Sequence, residues 1–501
     1  MLAALLLLCL GLRLPGVDRP LLGNFSGRSI PYADVARNLA QGAAPWYLPT
    51  SSVLVNGRPT LMLLDFPLIS YVAGGAHRVM GLDVVMCGRL AAILASLAAL
   101  YFFYRIVRLF SGGTAALWAG LFFALSPLSI IYGQSFQADM PALGLGLAAL
   151  WLFVRAGGGI TQILCSAVLL GLALSTRAQA ASFALPILYA AWRSDGPRNF
   201  TKPAIYLFGA IAAAVPAAWY AYAIWATGHY DNVIWSVSYQ ADDKFFHLEG
   251  PVAEFLKACV VTAVRLLLNP LGLLLMAVGL AKGRRGQETF FTVWLVSAAL
   301  VLASMPQKIL DHNYYWLVLV PPAAFFAAKA AEFLLGFGAL RKKWVAAVCV
   351  TLFALLSLGA AWRPAFVTPP EEKHTLEIAA RLREQTGPKD FIVFATRSAS
   401  LMYYSQRRGA HMQIDQPKMP STLLANVRFH DSPDQVRALQ EVFRTAPGII
   451  EYYRGQGAGY LAVTQVKELG LDPSLRALLD SRYKLVSESP LLVLFDLKGE
   501  R

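Results

Sequence analysis

Two stretches of the 501-residue chain hold polar side chains in patterns that suit chemistry at an apolar boundary. In Ser29-Ile-Pro-Tyr-Ala-Asp-Val-Ala-Arg-Asn-Leu-Ala-Gln41, the residues Asp34, Arg37, Asn38 and Gln41 fall at i, i+3, i+4 and i+7, so one helical face carries all four. Ser29 is a cap candidate and Pro31 suits a first helical turn. As plain structure this is an amphipathic helix on the bilayer surface with an Asp34–Arg37 pair. As a site it offers a carboxylate to an incoming hydroxyl. The second stretch is Lys308-Ile-Leu-Asp-His-Asn-Tyr-Tyr-Trp-Leu-Val-Leu-Val-Pro-Pro322, where Lys308, His312, Tyr314 and Tyr315 open an apolar run. An aromatic belt at the membrane interface accounts for the tyrosines and Trp316. It does not account for the lysine and histidine. Cations and phenols at headgroup depth suit a phosphate carrying an apolar tail.

Further acids and arginines stand at the ends of apolar segments. Asp65 precedes Phe66-Pro67, where a helix cap is the plain reading and a catalytic acid the alternative. Asp139 ends Gly133-Gln-Ser-Phe-Gln-Ala-Asp, with Gln137 beside it, and suits a helix N-terminus electrostatically. Arg89 sits inside an apolar run and needs a partner, either an acid or a phosphate. Arg177 occupies a short outer turn and is a second candidate for phosphate.

The elements that position these residues read as membrane spans. The chain is 56% hydrophobic and 15% charged, more apolar than a soluble protein of this size requires. Apolar segments recur over 84–110, 114–132, 140–154, 160–174, 178–192, 204–226, 255–280, 289–303, 314–335 and 344–362. With an N-terminal segment over 1–14 they predict about eleven spans. Alternate loops are basic: Arg105 and Arg108, then Arg155, then Arg193, Arg198 and Lys202, then Lys282, Arg284 and Arg285, then Arg341, Lys342 and Lys343. The intervening loops carry few basic residues, Arg177, Lys244 and Lys308 among them. The positive-inside rule puts the basic loops and the N-terminus in the cytoplasm, with the arginines of the first long loop dissenting. The net charge of +14 is then an orientation signal, and no nucleic-acid partner is expected.

The expected division is a transmembrane domain over 1–363, whose first outer loop spans about 15–83, and an extracytoplasmic α/β domain over 364–501. The tail predicts helices at 374–385, around Leu401, at 434–445 and at 473–479. Strands are expected at 391–395, 459–464, 483–487 and 491–497. All five cysteines lie in apolar segments, which argues against a disulfide framework.

Four segments then carry a family resemblance: Arg28 with Ala36-Arg-Asn38; Asp65-Phe-Pro-Leu68 with Gly88-Arg-Leu90; Tyr132-Gly-Gln-Ser-Phe-Gln-Ala-Asp139; and His312 through Pro321. Tyr403-Tyr-Ser-Gln-Arg-Arg-Gly409 adds a fifth in the tail. Together they resemble the GT-C glycosyltransferases of the protein-mannosyltransferase and aminoarabinose-transferase type. That resemblance implies a polytopic α-helical membrane enzyme that transfers a sugar from a polyprenyl-phosphate donor. The acceptor is a lipid, glycan or protein at the outer face, and the location is the bacterial inner membrane. It implies a base in the first outer loop, with Lys308, His312, Tyr315, Arg89 and Arg177 as cations and donors for the leaving phosphate. Arg28, Arg37, Asn38, Gln137, Asp139 and Tyr314 are expected to contact substrate. Relatives carry Arg-x-x-Asp before the Ala-Arg-Asn, whereas this chain reads Arg28-Ser-Ile-Pro31 and places Asp34 a helical turn later, a shift of roughly 4.5 Å. Either Asp34 or Asp65 is then the base, or catalysis is weak. No essential metal is expected. The competing classes are a lipid or small-molecule transporter or flippase, against which the lack of internal repeats counts, and a non-catalytic scaffold of an envelope-glycan complex.

Overall fold

The computed structural model describes residues 1–501 except 24–25, 158, 235–245, 247, 249, 283–285, 336–342, 399, 420–422, 425–430 and 501. Arg284, Arg285, Arg341, Lys342 and Lys244, used above to orient the chain, lie outside the described residues. The chain forms two compact units. One comprises 1–19, 65–221 and 241–367, and the other 20–64, 222–240 and 368–501.

The first unit is a bundle of apolar helices, and every expected apolar segment is helical in it. Segments 84–110 and 114–132 are joined into Val84–Leu125 across a break at Gly112, whose φ of 84° is open to glycine, followed by Pro127–Tyr132. The segment expected as one span over 255–280 is a pair, Val252–Leu267 and Asn269–Lys282, bent by 100°. Asn269 makes the bend. Its backbone is left-handed at φ 56°, its Oδ1 accepts from Leu271 N and Gly272 N, and its Nδ2 donates to Phe353 O and Ser357 Oγ.

Among the described residues, four helices are long and apolar enough to cross a membrane: Val84–Leu125, Pro203–His229, Asn313–Leu335 and Trp344–Phe366. The bent pair makes a fifth if its two halves form one span. Leu2–Gly11, Ile160–Thr176 and Thr289–Ala303 are apolar but shorter, so length alone does not qualify them as spans. Glycines allow close packing inside the bundle: a Cβ on Gly279 would meet Phe326 O at 1.8 Å. Phe291 stacks on Phe325 at 3.6 Å, and Trp294 is fully buried among the phenylalanines.

The second unit is an α/β fold around an eight-stranded sheet in the order β3-β2-β1-β5-β4-β6-β8-β7. The strands are β1 Thr50–Val55, β2 Arg58–Met62, β3 Val233–Ile234, β4 Phe391–Ala395, β5 Arg408–Met412, β6 Tyr460–Val463, β7 Tyr483–Glu488 and β8 Val493–Glu500. Parallel β5, β4 and β6 form the centre, and antiparallel β8 and β7 close one side. Strand β1 pairs with β5, so residues 20–64 of the first loop fold with the tail rather than with the helices to which the sequence reading assigned them. The reading also lacked the β1–β2 hairpin, β5 and the helix Ala446–Gly455. Strand β5, Arg-Gly-Ala-His-Met, has no β-branched residue, and its place is set by pairing on both sides. Gly409 is required there, because a Cβ would meet Ile392 O at 1.9 Å.

Candidate active site

The expected site residues divide between the two units. In the second unit, helix Ser26–Ala40 carries Arg28, Asp34, Arg37 and Asn38. It is no solvated surface helix, for Asp34 and Asn38 are buried. The Asp34 carboxylate accepts from Ser52 Oγ at 2.8 Å, from Ser52 N and from Arg37 Nη2. Arg37 donates onward to Tyr403 O at 2.6 Å and lies over the Tyr403 ring. Asn38 Nδ2 donates to Thr50 O at 2.8 Å, and Arg28 lies 5.9 Å from the Tyr32 ring centroid. These bonds join the helix to β1 and to the helix Ser400–Ser405. They satisfy the polar groups that burial would otherwise penalise.

In the first unit three distant segments bring charges together. Arg177 follows helix Ile160–Thr176 in extended backbone, with φ −155° and ψ 123°, so its side chain leaves the helix end. Asp139 is the first residue of helix Asp139–Arg155, where the helix dipole favours an acid. Asp65 precedes Pro67, the cap of helix Leu68–Met80. Arg177 Nη1 donates to Asp65 Oδ2 at 2.8 Å and Nη2 to Asp139 Oδ2 at 2.9 Å. The planar guanidinium suits this two-sided grip. One cation thus bridges two carboxylates brought from different segments into a buried setting. Asp65, 13% exposed, is the most open of the three, against 4% for Arg177 and 5% for Asp139.

Aromatic residues border the cluster. The Arg177 guanidinium lies 5.3 Å from the Tyr314 ring centroid, inside cation–π range. Tyr314 stacks with His312 at 5.1 Å and with Tyr315 at 4.9 Å. Tyr132 packs edge-on to Tyr314 at 6.0 Å and donates its hydroxyl to Asn313 Oδ1. Asp139, Arg177, Gln179 and Tyr314 line a cavity of about 10 Å³, room for one water. Lys308 lies on the short helix Pro306–Asp311, whose end bonds His312 N to Lys308 O at 3.0 Å.

Arg89 reaches the loop before Asp139, its Nη1 3.5 Å from Gln134 O. Gln137 is buried in that loop. The glycine beside Arg89 is a packing necessity, since a Cβ on Gly88 would overlap the Phe136 ring at 2.3 Å. Sequence reasoning gave no role to Tyr132, Asn313 or Gln134. All three stand inside or next to the motifs already quoted, which was the available signal. It also missed Arg13, fully buried, which donates to Cys9 O, Ala124 O and Ser129 O and holds the N-terminal helix against the break at Ser126. Among the described residues no three His, Cys, Asp or Glu side chains converge as metal ligands.

An apolar helical bundle with acids and an arginine gathered at its helix ends, in a chain that also builds an α/β unit, has the fold of the GT-C membrane glycosyltransferases. Residues 64–222, which include Asp65, Asp139 and Arg177, match the dolichyl-phosphate-mannose-protein mannosyltransferase family. The structure is similar to ArnT from Cupriavidus metallidurans bound to undecaprenyl phosphate. The TM-score is 0.69 at 14% identity, covering 100% of this chain and 99% of that one. It is also similar to the archaeal oligosaccharyltransferase AglB from Archaeoglobus fulgidus, in complex with an inhibitory peptide and a dolichol-phosphate. There the TM-score is 0.55 at 12% identity, covering 98% of this chain and 73% of that one. The arabinofuranosyltransferase AftD from Mycobacteria matches with a TM-score of 0.55 at 15% identity, over 100% of this chain and 41% of its own. A sequence search of curated proteins gives no match.

Proposed function

We propose that the protein is an integral membrane glycosyltransferase that moves a sugar from a polyprenyl-phosphate donor to an envelope lipid, glycan or protein acceptor. The observation that carries this reading is the Asp65–Arg177–Asp139 cluster at helix ends, in a chain that shares its fold with ArnT. In this reading Asp65 takes the proton of the acceptor hydroxyl as its oxygen attacks the anomeric carbon. The new glycosidic bond forms as the bond from that carbon to the phosphate oxygen breaks. The electron pair leaves with the polyprenyl phosphate, and direct displacement inverts the anomeric centre. Lys308, His312, Tyr315 and Arg89 receive the charge growing on the phosphate. Arg177 and Asp139 position Asp65, while Gln137 and Tyr314 contact the sugar or acceptor. Asp34, Arg37, Asn38 and Arg28 take the structural role that their hydrogen bonds support. No divalent metal is required, since Asp65 and Asp139 are already tied by Arg177.

The reading includes about eleven crossings of the bacterial inner membrane, a cytoplasmic N-terminus and a periplasmic tail. The short apolar helices and the basic loops of the sequence support it. The test is sugar transfer in detergent from a native membrane-lipid extract, with EDTA present. Wild type and Asp34→Asn should both transfer, and Asp65→Asn should lose roughly 10²-fold or more. Full activity in Asp65→Asn would overturn the assignment of the base. Wild type that transports a lipid but transfers no sugar would overturn the enzyme.

A further inference from the structure

A second cavity in the helical unit, lined by none of the residues given a catalytic or binding role above, has a ligand chemistry of its own. It measures about 530 Å³, within the range of small-molecule sites. Its walls are built where five helices end: the stretch before Gly112, the end of Asp139–Arg155, the start of Ile160–Thr176, the end of Ala184–Asp195 and the start of Pro203–His229. These are the ends joined by the basic loops of Arg105 and Arg108, of Arg155, and of Arg193 to Lys202.

Two cations and one acid line the cavity. Lys202 pairs with Asp195 at 2.8 Å, both half-exposed. Arg193 has no ion-pair partner among the described residues. Its guanidinium rests 5.9 Å from the Phe110 ring centroid. Pairing Lys202 with Asp195 therefore leaves one uncompensated positive charge at the cavity. Neither Ile160–Thr176 nor Pro203–His229 has an acid in its first turn to offset the positive helix ends. Apolar side chains also line it, Phe153, Ile163 and Ile205 among them. Leu109, Ile160, Trp192, Tyr206 and Leu207 around it are exposed. Leu109, Tyr206 and Leu207 stand on helices long and apolar enough to cross a membrane, where exposed apolar side chains face lipid, so the cavity joins a charged rim to the acyl region.

We infer that this cavity binds the headgroup of an anionic two-chain phospholipid, with a phosphate at Arg193 and an acyl chain against Phe153, Ile163 and Ile205. A free phosphate would satisfy Arg193 but would leave the apolar wall unfilled. Basic pockets between helix ends on the side of the basic loops are known to serve anionic lipids. The inference does not depend on the glycosyl transfer proposed above.

The experiment is native mass spectrometry of the full chain released from bilayer discs of equal phosphatidylglycerol and phosphatidylcholine. Wild type should retain phosphatidylglycerol in preference, by roughly tenfold. The double variant Arg193→Gln, Lys202→Gln should lose the preference. Lys282→Gln, which removes one positive charge from a different basic loop, should keep it. Ile205→Trp, which narrows the cavity at its apolar lining while leaving its charges, should also reduce retention, provided its melting temperature matches wild type. Equal retention of the two lipids by wild type would overturn the inference. So would an unchanged preference in the double variant, or displacement of the lipid by millimolar inorganic phosphate.

Discussion

Both units bury an aspartate against an arginine, and the two arrangements are built for different ends. Asp34 and Arg37 lie three residues apart on one helix, and their remaining partners are Ser52 and the carbonyl of Tyr403. Charges balance one to one and hydrogen bonds run to neighbouring backbone, as in a pair that fixes packing. Asp65, Asp139 and Arg177 come from three segments up to 112 residues apart. There one cation bridges two acids beside a small cavity. An acid–arginine pair is thus weak evidence of chemistry. Acids gathered from distant helix ends onto one shared arginine are stronger evidence.

The contrast breaks most sharply in activity, where Asp65→Asn should cost roughly 10²-fold or more and Asp34→Asn should leave transfer near wild type. Next in size is Arg177→Gln. It strands two carboxylates in a buried site and should destabilise the helical unit by about 3–5 kcal/mol. A lowered unfolding temperature in detergent checks this, with Arg177→Lys recovering part of the loss. Asp34→Asn should destabilise the α/β unit by about 1–3 kcal/mol, because it leaves Arg37 and the Ser52 donors poorly matched. Faster hydrogen exchange in helix Ser26–Ala40 and β1, with the helical unit unchanged, is the expected signature.

The remaining effect concerns pH and again sets the units apart. His411 on β5 packs near Phe394, and burial holds its imidazole down to about 4, below the ordinary 6.5. Above pH 6.5 the group is neutral folded and unfolded, so it adds no pH dependence. Between 6.5 and about 4 the unfolded chain takes up a proton that the folded chain refuses, so stability falls as pH falls. Thermal melts across that window should decline less steeply in His411→Phe than in wild type.

Much of the fold was legible because its signals are local. The apolar runs became helices, though two merged into Val84–Leu125 and one bent at Asn269, and Phe391–Ala395 is a strand over the residues its pattern marked. The Asp34–Arg37 pair was readable too, since 3.6-residue periodicity sets two side chains three residues apart on one face. The sequence could not show that this face turns inward, because its partners Ser52 and Tyr403 are brought there by the sheet. Nor could it place the first loop with the tail, for β1 meets β5 across more than 350 residues at Val53 and Gly409.

Asp65, Asp139 and Arg177 were each recognisable as charges at the ends of apolar segments, and sequence alone determined that much, because a charge beside hydrocarbon needs a reason. Only tertiary structure decided that the three belong together, that Arg177 is shared, and that Asp34 is spoken for elsewhere. Helix packing fixes the distances between segment ends, and no local pattern encodes those distances.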